Sequence, residues 1–185
     1  MYRLMLVDDE ENILNALRRV LGTLLFAGPD GEKSEVVIET FRVPEKALER
    51  ASHTAFDLVV SDYRMPTMNG VAFLKALKQY QPNIARLILS GYADLDGLIG
   101  AINEAGISRF IAKPWNDYEL TAAITQQLAY RAVLLENERL ADLTRVQQGK
   151  ISQQEMALKQ LELEHPGITK VNWGPDGSVI LFDDH

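Results

Sequence analysis

The stretch LMLVDDEEN (residues 4–12) sets how the rest of the chain is read. Four apolar residues, Leu4 to Val7, run without alternation into four acids, Asp8, Asp9, Glu10 and Glu11. Such a run, here Arg3 to Val7, reads as a strand buried on both faces, the kind found in parallel sheets. Ending that strand in adjacent carboxylates is unfavourable unless something offsets their mutual repulsion. The acids are either the solvated start of a helix or part of a site for a positive charge.

The elements that follow extend the same pattern. Residues 10–25 place Ile13, Leu14, Leu17, Val20, Leu21, Leu24 and Leu25 on one helical stripe, which Gly28-Pro29-Asp30-Gly31 ends in a polar loop. Val36 to Phe41 reads as a second strand, Pro44 to Ala51 as a short helix and Phe56 to Ser61 as a third strand. Val71 to Tyr80 is helical, and Arg86 to Ser90 is a fourth strand. Leu95, Leu98, Ile99 and Ile102 mark another helix, weakened by Gly97 and Gly100. Arg109 to Ala112 is a fifth strand, and a helix starts near Asn116. Strands alternating with helices over short connections predict an α/β fold with a five-stranded, doubly wound parallel sheet.

Composition narrows the function. The formal charge of −7 argues against a nucleic-acid surface, which carries a basic face. Absence of cysteine excludes a disulfide frame, a thiol nucleophile and a zinc–thiolate centre. The N-terminal apolar run is too short for a membrane span or signal and lacks a basic flank, which points to a cytoplasmic protein with no membrane partner.

In open parallel sheets the reactive crevice lies beyond the carboxyl ends of the strands. Those ends deliver Asp8 and Asp9, Asp62, Ser90 and Lys113. Carboxylates without imidazole or thiol partners suit a hard cation, Mg²⁺ above all, and a lysine and a hydroxyl complete the contacts a phosphoryl group needs. Asp62 is the candidate nucleophile, since a carboxylate can form an acyl phosphate. Taken singly, each group has a plainer reading: Asp8-Asp9 as a helix cap, Ser90 and Lys113 as surface polarity, Asp62 through Gly70 as a turn. Their joint occurrence at the same end of successive strands outweighs those readings.

The segments LMLVDDEENIL, VVSDYRMPTMNG, LILSGYAD and RFIAKPW resemble the signatures of the receiver domain of two-component response regulators, over roughly residues 2 to 130. The resemblance implies a flavodoxin/CheY-like fold and phosphorylation of Asp62 by a sensor histidine kinase or a small phosphodonor. It implies Mg²⁺ held by Asp9 and Asp62, with Asp8 acting through a water and the backbone carbonyl of Arg64 completing the set. Lys113 would contact the phosphoryl group, its bond to Pro114 being often cis in the family, and Ser90 and Phe110 occupy the switch positions. The SGYAD and KPWND wording is most similar to receivers fused to cyclic-di-GMP phosphodiesterase or related output domains. Three departures stand out: a long Ala27–Glu35 loop, Phe110 where Tyr is commoner, and Ser90 where Thr is commoner.

Residues 1–131 are read as the receiver and 132–185 as an extension for dimerisation or partner docking. The helix from Asp117 runs on to Gly149, with Ala132 to Leu135, Leu140, Leu143 and Val146 apolar but drifting in heptad register. It is either a short coiled coil or a single helix packed back on the receiver. Ser152 to Glu155 has the form of a capping box, opening a shorter helix with Met156, Leu158, Leu161 and Leu163 apolar, ended by His165-Pro166-Gly167. The sequence ITKVNWGPDGSVILFDDH reads as a β-hairpin around Gly174 to Gly177, with Val171 and Trp173 on one face. Acids outnumber bases from Ala132 onward, which disfavours DNA binding. The expected function is a response regulator rather than an enzyme. A homodimer would form through the receiver face of the last two receiver helices and the fifth strand, through the extension, or through both. The alternatives are a Mg²⁺-dependent phosphohydrolase using Asp62, or a phosphate sink without output. Arg64 disfavours the hydrolase, because such enzymes place a second Asp at that position.

Overall fold

The computed structural model describes residues 1–27, 33–91 and 104–169. The breaker at Gly28–Gly31, the helix marked by Leu95 to Ile102 and the hairpin beyond Thr169 lie outside the described residues.

The described strands are β1 (Tyr2–Val7), β2 (Leu25–Ala27), β3 (Lys33–Phe41), β4 (Leu58–Asp62), β5 (Ala85–Gly91) and β6 (Arg109–Lys113). The helices are α1 (Glu11–Leu21), α2 (Pro44–Ala51), α3 (Gly70–Tyr80), α4 (Asp117–Gln147) and α5 (Gln153–Glu164). The sheet order is β2-β3-β1-β4-β5-β6, with every pair parallel except β2–β3. The five parallel strands form the doubly wound sheet expected from the sequence, with β4 at its centre and β1 beside it.

Strand pleating explains why β1 is apolar throughout: successive side chains point to opposite faces. Leu4 and Leu6 join α1 and the first part of α4 in one core, through Leu14, Leu17, Leu21, Leu120, Ile124 and Leu128. Met5 and Val7 join α2 and α3 in the other, through Ala47, Phe73, Leu74 and Leu77. Each core takes alternate residues of β4 and β5, so both strands are buried on both sides.

The first helix is shorter than the apolar stripe suggests. It ends at Leu21, Gly22 follows, and Leu25–Ala27 pairs antiparallel with Lys33–Glu35. Phe26 is buried and meets Tyr2 edge-on at 4.6 Å. Glycine is a poor helix former, and an aromatic residue gains more by packing on the edge of the sheet than on one more exposed turn. Leu24 and Leu25 thus leave the helix, and the Ala27–Glu35 stretch read as a loop contains the start of β3.

α4 runs unbroken for 31 residues, but its buried residues, Leu120, Ala123, Ile124 and Leu128, all precede Arg131. The capping box of Ser152 and Glu155 is formed, and His165 and Gly167 close α5 as the sequence suggests. α5 folds back beside α4, with Lys159 Nζ 3.2 Å from Asp142. Pro166 is buried behind it, while Leu158, Leu161 and Leu163 remain exposed. No helix among the described residues is long and apolar enough to cross a membrane.

Candidate functional site

Strand register assembles the site. Asp62 is the last residue of β4 and pairs with Leu89 of β5, one residue before Ser90. Gly91 then pairs with Lys113 on β6. On the other side of β4, Val7 pairs with Ser61, which brings Asp8 to the same edge as Asp62. Four strands that share no sequence neighbours therefore end their polar residues at one place.

Lys113 holds the centre. Its Nζ lies 2.6 Å from Asp62 Oδ1 and 2.9 Å from Asp8 Oδ2. Asp8 is buried, and its other oxygen accepts from the Glu10 amide at 2.8 Å. Asp8 is thus not the cap of α1, whose N-cap position is Glu10 without a side-chain cap bond; one of its oxygens holds the turn before the helix and the other the ammonium. Burial pushes the Asp8 carboxyl above its ordinary range, and its bonds to Lys113 and the Glu10 amide offset this only in part. Burial would lower Lys113, but hydrogen bonds to Asp62 and Asp8 outweigh it and raise the ammonium. The two directions are consistent, because Asp8 is almost fully buried whereas Lys113 is less buried and hydrogen-bonds two carboxylates.

The remaining residues differ in depth. Asp9 is half-buried, and its backbone oxygen accepts from Arg42 Nε at 3.2 Å. Arg64 is exposed, and its amide donates to Asp62 Oδ2 at 2.8 Å. Ser90 is buried, and Phe110 is half-buried against the core of α2 and α3. The Lys113–Pro114 peptide bond is cis.

The available donors, Asp8, Asp9, Asp62 and the carbonyl of Arg64, are all oxygen and suit a hard divalent cation. No group of three His, Cys, Asp or Glu side chains among the described residues is gathered into a ready metal cluster. The Lys113 ammonium between Asp8 and Asp62 nevertheless shows that this edge accommodates a cation.

Gly70 is a residue whose role sequence reading missed. Its amide donates to the Tyr63 carbonyl at 2.9 Å, and a Cβ there would lie 2.1 Å from the backbone oxygen of Asp62. The start of α3 presses directly on the end of β4, and only glycine permits it. The sequence offers Gly70 only as the end of a possible turn, and the contact with Asp62 that requires glycine is visible only in three dimensions.

A model of the response regulator receiver domain matches residues 4–125. Among curated relatives, the hydrogenase transcriptional regulatory protein HoxA of Cupriavidus necator is 31% identical over 74% of this chain and 26% of its own length. The DNA-binding transcriptional regulator NtrC of Escherichia coli K12 is 30% identical over 67% of this chain and 24% of its own length. The chain thus spans about a quarter of these relatives. Among solved structures, an uncharacterised protein from Neptuniibacter caesariensis is 41% identical, with TM-score 0.63 over 73% of this chain and 92% of that one. The signal receiver domain of an HD domain-containing protein from Pseudomonas fluorescens Pf-5 is 32% identical, with TM-score 0.62 over 70% and 96% of the two chains. On the family match and the strand-end geometry together, this chain belongs to the response regulator receiver domain family.

Proposed function

We propose that this receiver accepts a phosphoryl group on Asp62 from a sensor histidine kinase, in a Mg²⁺-dependent reaction in the cytoplasm, and signals through residues 132–185. The observation that carries the reading is Lys113 Nζ at 2.6 Å from Asp62 Oδ1 and 2.9 Å from Asp8. An Asp62 oxygen attacks phosphorus, the bond from phosphorus to the kinase imidazole breaks, and the imidazole leaves with the bond's electron pair. The product is an acyl phosphate whose added negative charge faces Lys113. Asp8, Asp9, Asp62 and the Arg64 carbonyl are the residues that would hold Mg²⁺, which supplies charge neutralisation for the phosphoryl oxygens. This chain's own contribution is to keep Asp62 oriented, through the Arg64 amide and the α3 contact, and to supply a fixed ammonium.

Ser90 would donate to the new phosphoryl group, and Phe110 would move into the space it leaves. A hydrogen bond to a charged group contributes about 1.5–3 kcal/mol. Converting a 1:99 equilibrium to 99:1 requires about 5.5 kcal/mol. Ser90 alone is insufficient, so Lys113 and an assembly step must supply the rest. The end of core burial in α4 near Arg131 supports the division between receiver and extension.

Incubation with labelled acetyl phosphate and Mg²⁺ tests the assignment. The wild-type chain is expected to label once per chain and lose the label slowly, and Asp62→Asn is expected not to label. Equal labelling of that variant overturns the role of Asp62. Sustained turnover of phosphomonoesters would instead favour the hydrolase.

A further inference from the structure

Arg86 sits at the start of β5, at the sheet end opposite Ser90 and Asp62. It is 8% exposed, and its guanidinium is held by backbone oxygens alone. Nε donates to Gly106 at 3.0 Å, and Nη1 donates to Pro82 at 3.0 Å and Gln81 at 3.5 Å. Among the described residues no carboxylate pairs with it. Carbonyls solvate a buried charge without neutralising it, whereas buried charges are generally paired with an opposite charge. Burial lowers the Arg86 pKa from its usual value, although a guanidinium stays protonated in proteins.

Arg86 also lines a cavity of about 220 Å³ between the start of β5 and α4. Ile84, Leu134 and Leu135 give it apolar wall, and Gln127 and Tyr130 add polar groups. Its volume lies below the roughly 300–1,000 Å³ of drug-sized pockets, so it suits a small ligand. Of the other charged residues that line it, one is ion-paired and one is exposed to solvent. Arg131 is 2.5 Å from Asp57, and Glu138 accepts from Asn83 at 3.1 Å from an exposed position. Glu138 is a solvated anion at the rim with no cation beside it, so the buried charge of this cavity without a counter-ion among the described residues is that of Arg86.

We propose that this cavity is a binding site for a small aliphatic carboxylate, whose carboxylate meets Arg86 and whose hydrocarbon part lies on Ile84, Leu134 and Leu135. The apolar wall favours this class over inorganic phosphate, which would satisfy the charge and leave the wall bare. The inference does not depend on the phosphoryl chemistry at Asp62. Any ligand here would contact α4 where its core burial ends.

The test is a titration of the full-length ¹⁵N-labelled chain with isobutyrate in Mg²⁺-free buffer, followed by amide shifts, with inorganic phosphate as a parallel arm. Saturable shifts are expected at Gly106, Ser108, Gln127 and Tyr130, not at Asp62 or Gly70. Arg86→Gln should weaken binding by about tenfold or more. Glu138→Gln, an exposed change that leaves the core intact, should tighten it by removing the negative charge at the rim. Absence of saturable shifts overturns the site, as do shifts confined to the Asp62 edge or an affinity that Glu138→Gln leaves unchanged. Phosphate binding as tight as isobutyrate overturns the choice of ligand class.

Discussion

A methyl group added at position 70 would lie 2.1 Å from the Asp62 backbone oxygen and 3.1 Å from the Tyr63 Cα. Both neighbours are backbone, so neither can rotate away. Gly70→Ala is therefore expected to destabilise the fold by about 1–3 kcal/mol and to displace Asp62, the proposed phosphoacceptor, slowing acetyl phosphate labelling. Urea denaturation and the labelling rate together check this; an unchanged midpoint and rate would contradict it. Asp8, Asp62 and Lys113 were legible in the sequence because each stands at the polar end of an apolar strand. Gly70 was not, because its constraint is a distance to another element and leaves no mark in local composition.

Glu39 on β3 shows what one strand position does for the surrounding elements. Its carboxylate accepts from Arg3 of β1 at 2.9 Å and from Arg50 of α2 at 2.9 and 3.3 Å. Burial alone would raise its pKa, but the two arginines outweigh burial and hold the carboxyl below its ordinary range. A depressed carboxylate pKa contributes stability at pH above the ordinary glutamate range, near about 4.3, and that contribution is lost as pH falls through the folded-state value. Glu39→Gln is expected to cost at most about 1 kcal/mol at pH 7 and to shrink the difference in stability between pH 7 and pH 4. Urea midpoints at the two pH values measure it; a variant with undiminished pH dependence would contradict the pairing. A second element-level device is the Ser152–Glu155 box. Ser152→Ala should cost about 1 kcal/mol of local α5 stability, visible as faster amide exchange there with the receiver unaffected. The box was readable because its partners are three residues apart. The end of α1 was not, because apolar spacing continued past Leu21 while tertiary pairing with β3 claimed Leu25–Ala27.

At the scale of the molecule, Arg131 ties the long helix to the sheet. Its Nη1 meets Asp57 at 2.5 Å and its Nε donates to the Asn83 carbonyl at 3.0 Å. Asp57 in turn accepts from the Arg3 amide at 2.7 Å. Beyond this clamp Val133, Leu134 and Leu140 are 52%, 44% and 48% exposed, which leaves apolar surface for a partner or a second copy. Light scattering with beryllofluoride and Mg²⁺ is expected to raise the mass of the full chain toward a dimer, and truncation after Arg131 to weaken that shift. An unchanged mass in both states would favour a phosphate sink. Arg131→Ala should cost about 1–3 kcal/mol, because Asp57 is left partly buried without its cation.

The sequence by itself determined the α/β class, the order of the parallel strands' elements and the polar residues at their ends. These follow from local periodicity: a strand buried on both faces must be apolar throughout and can carry charge only where it stops. Only the tertiary structure decided the bonding of Lys113 to both Asp8 and Asp62, the requirement for glycine at 70, the extra strand at Leu25–Ala27 and the clamp of Arg131 on Asp57. Each joins groups distant along the chain, and such a contact is selected by packing and charge in three dimensions rather than by the pattern of neighbours.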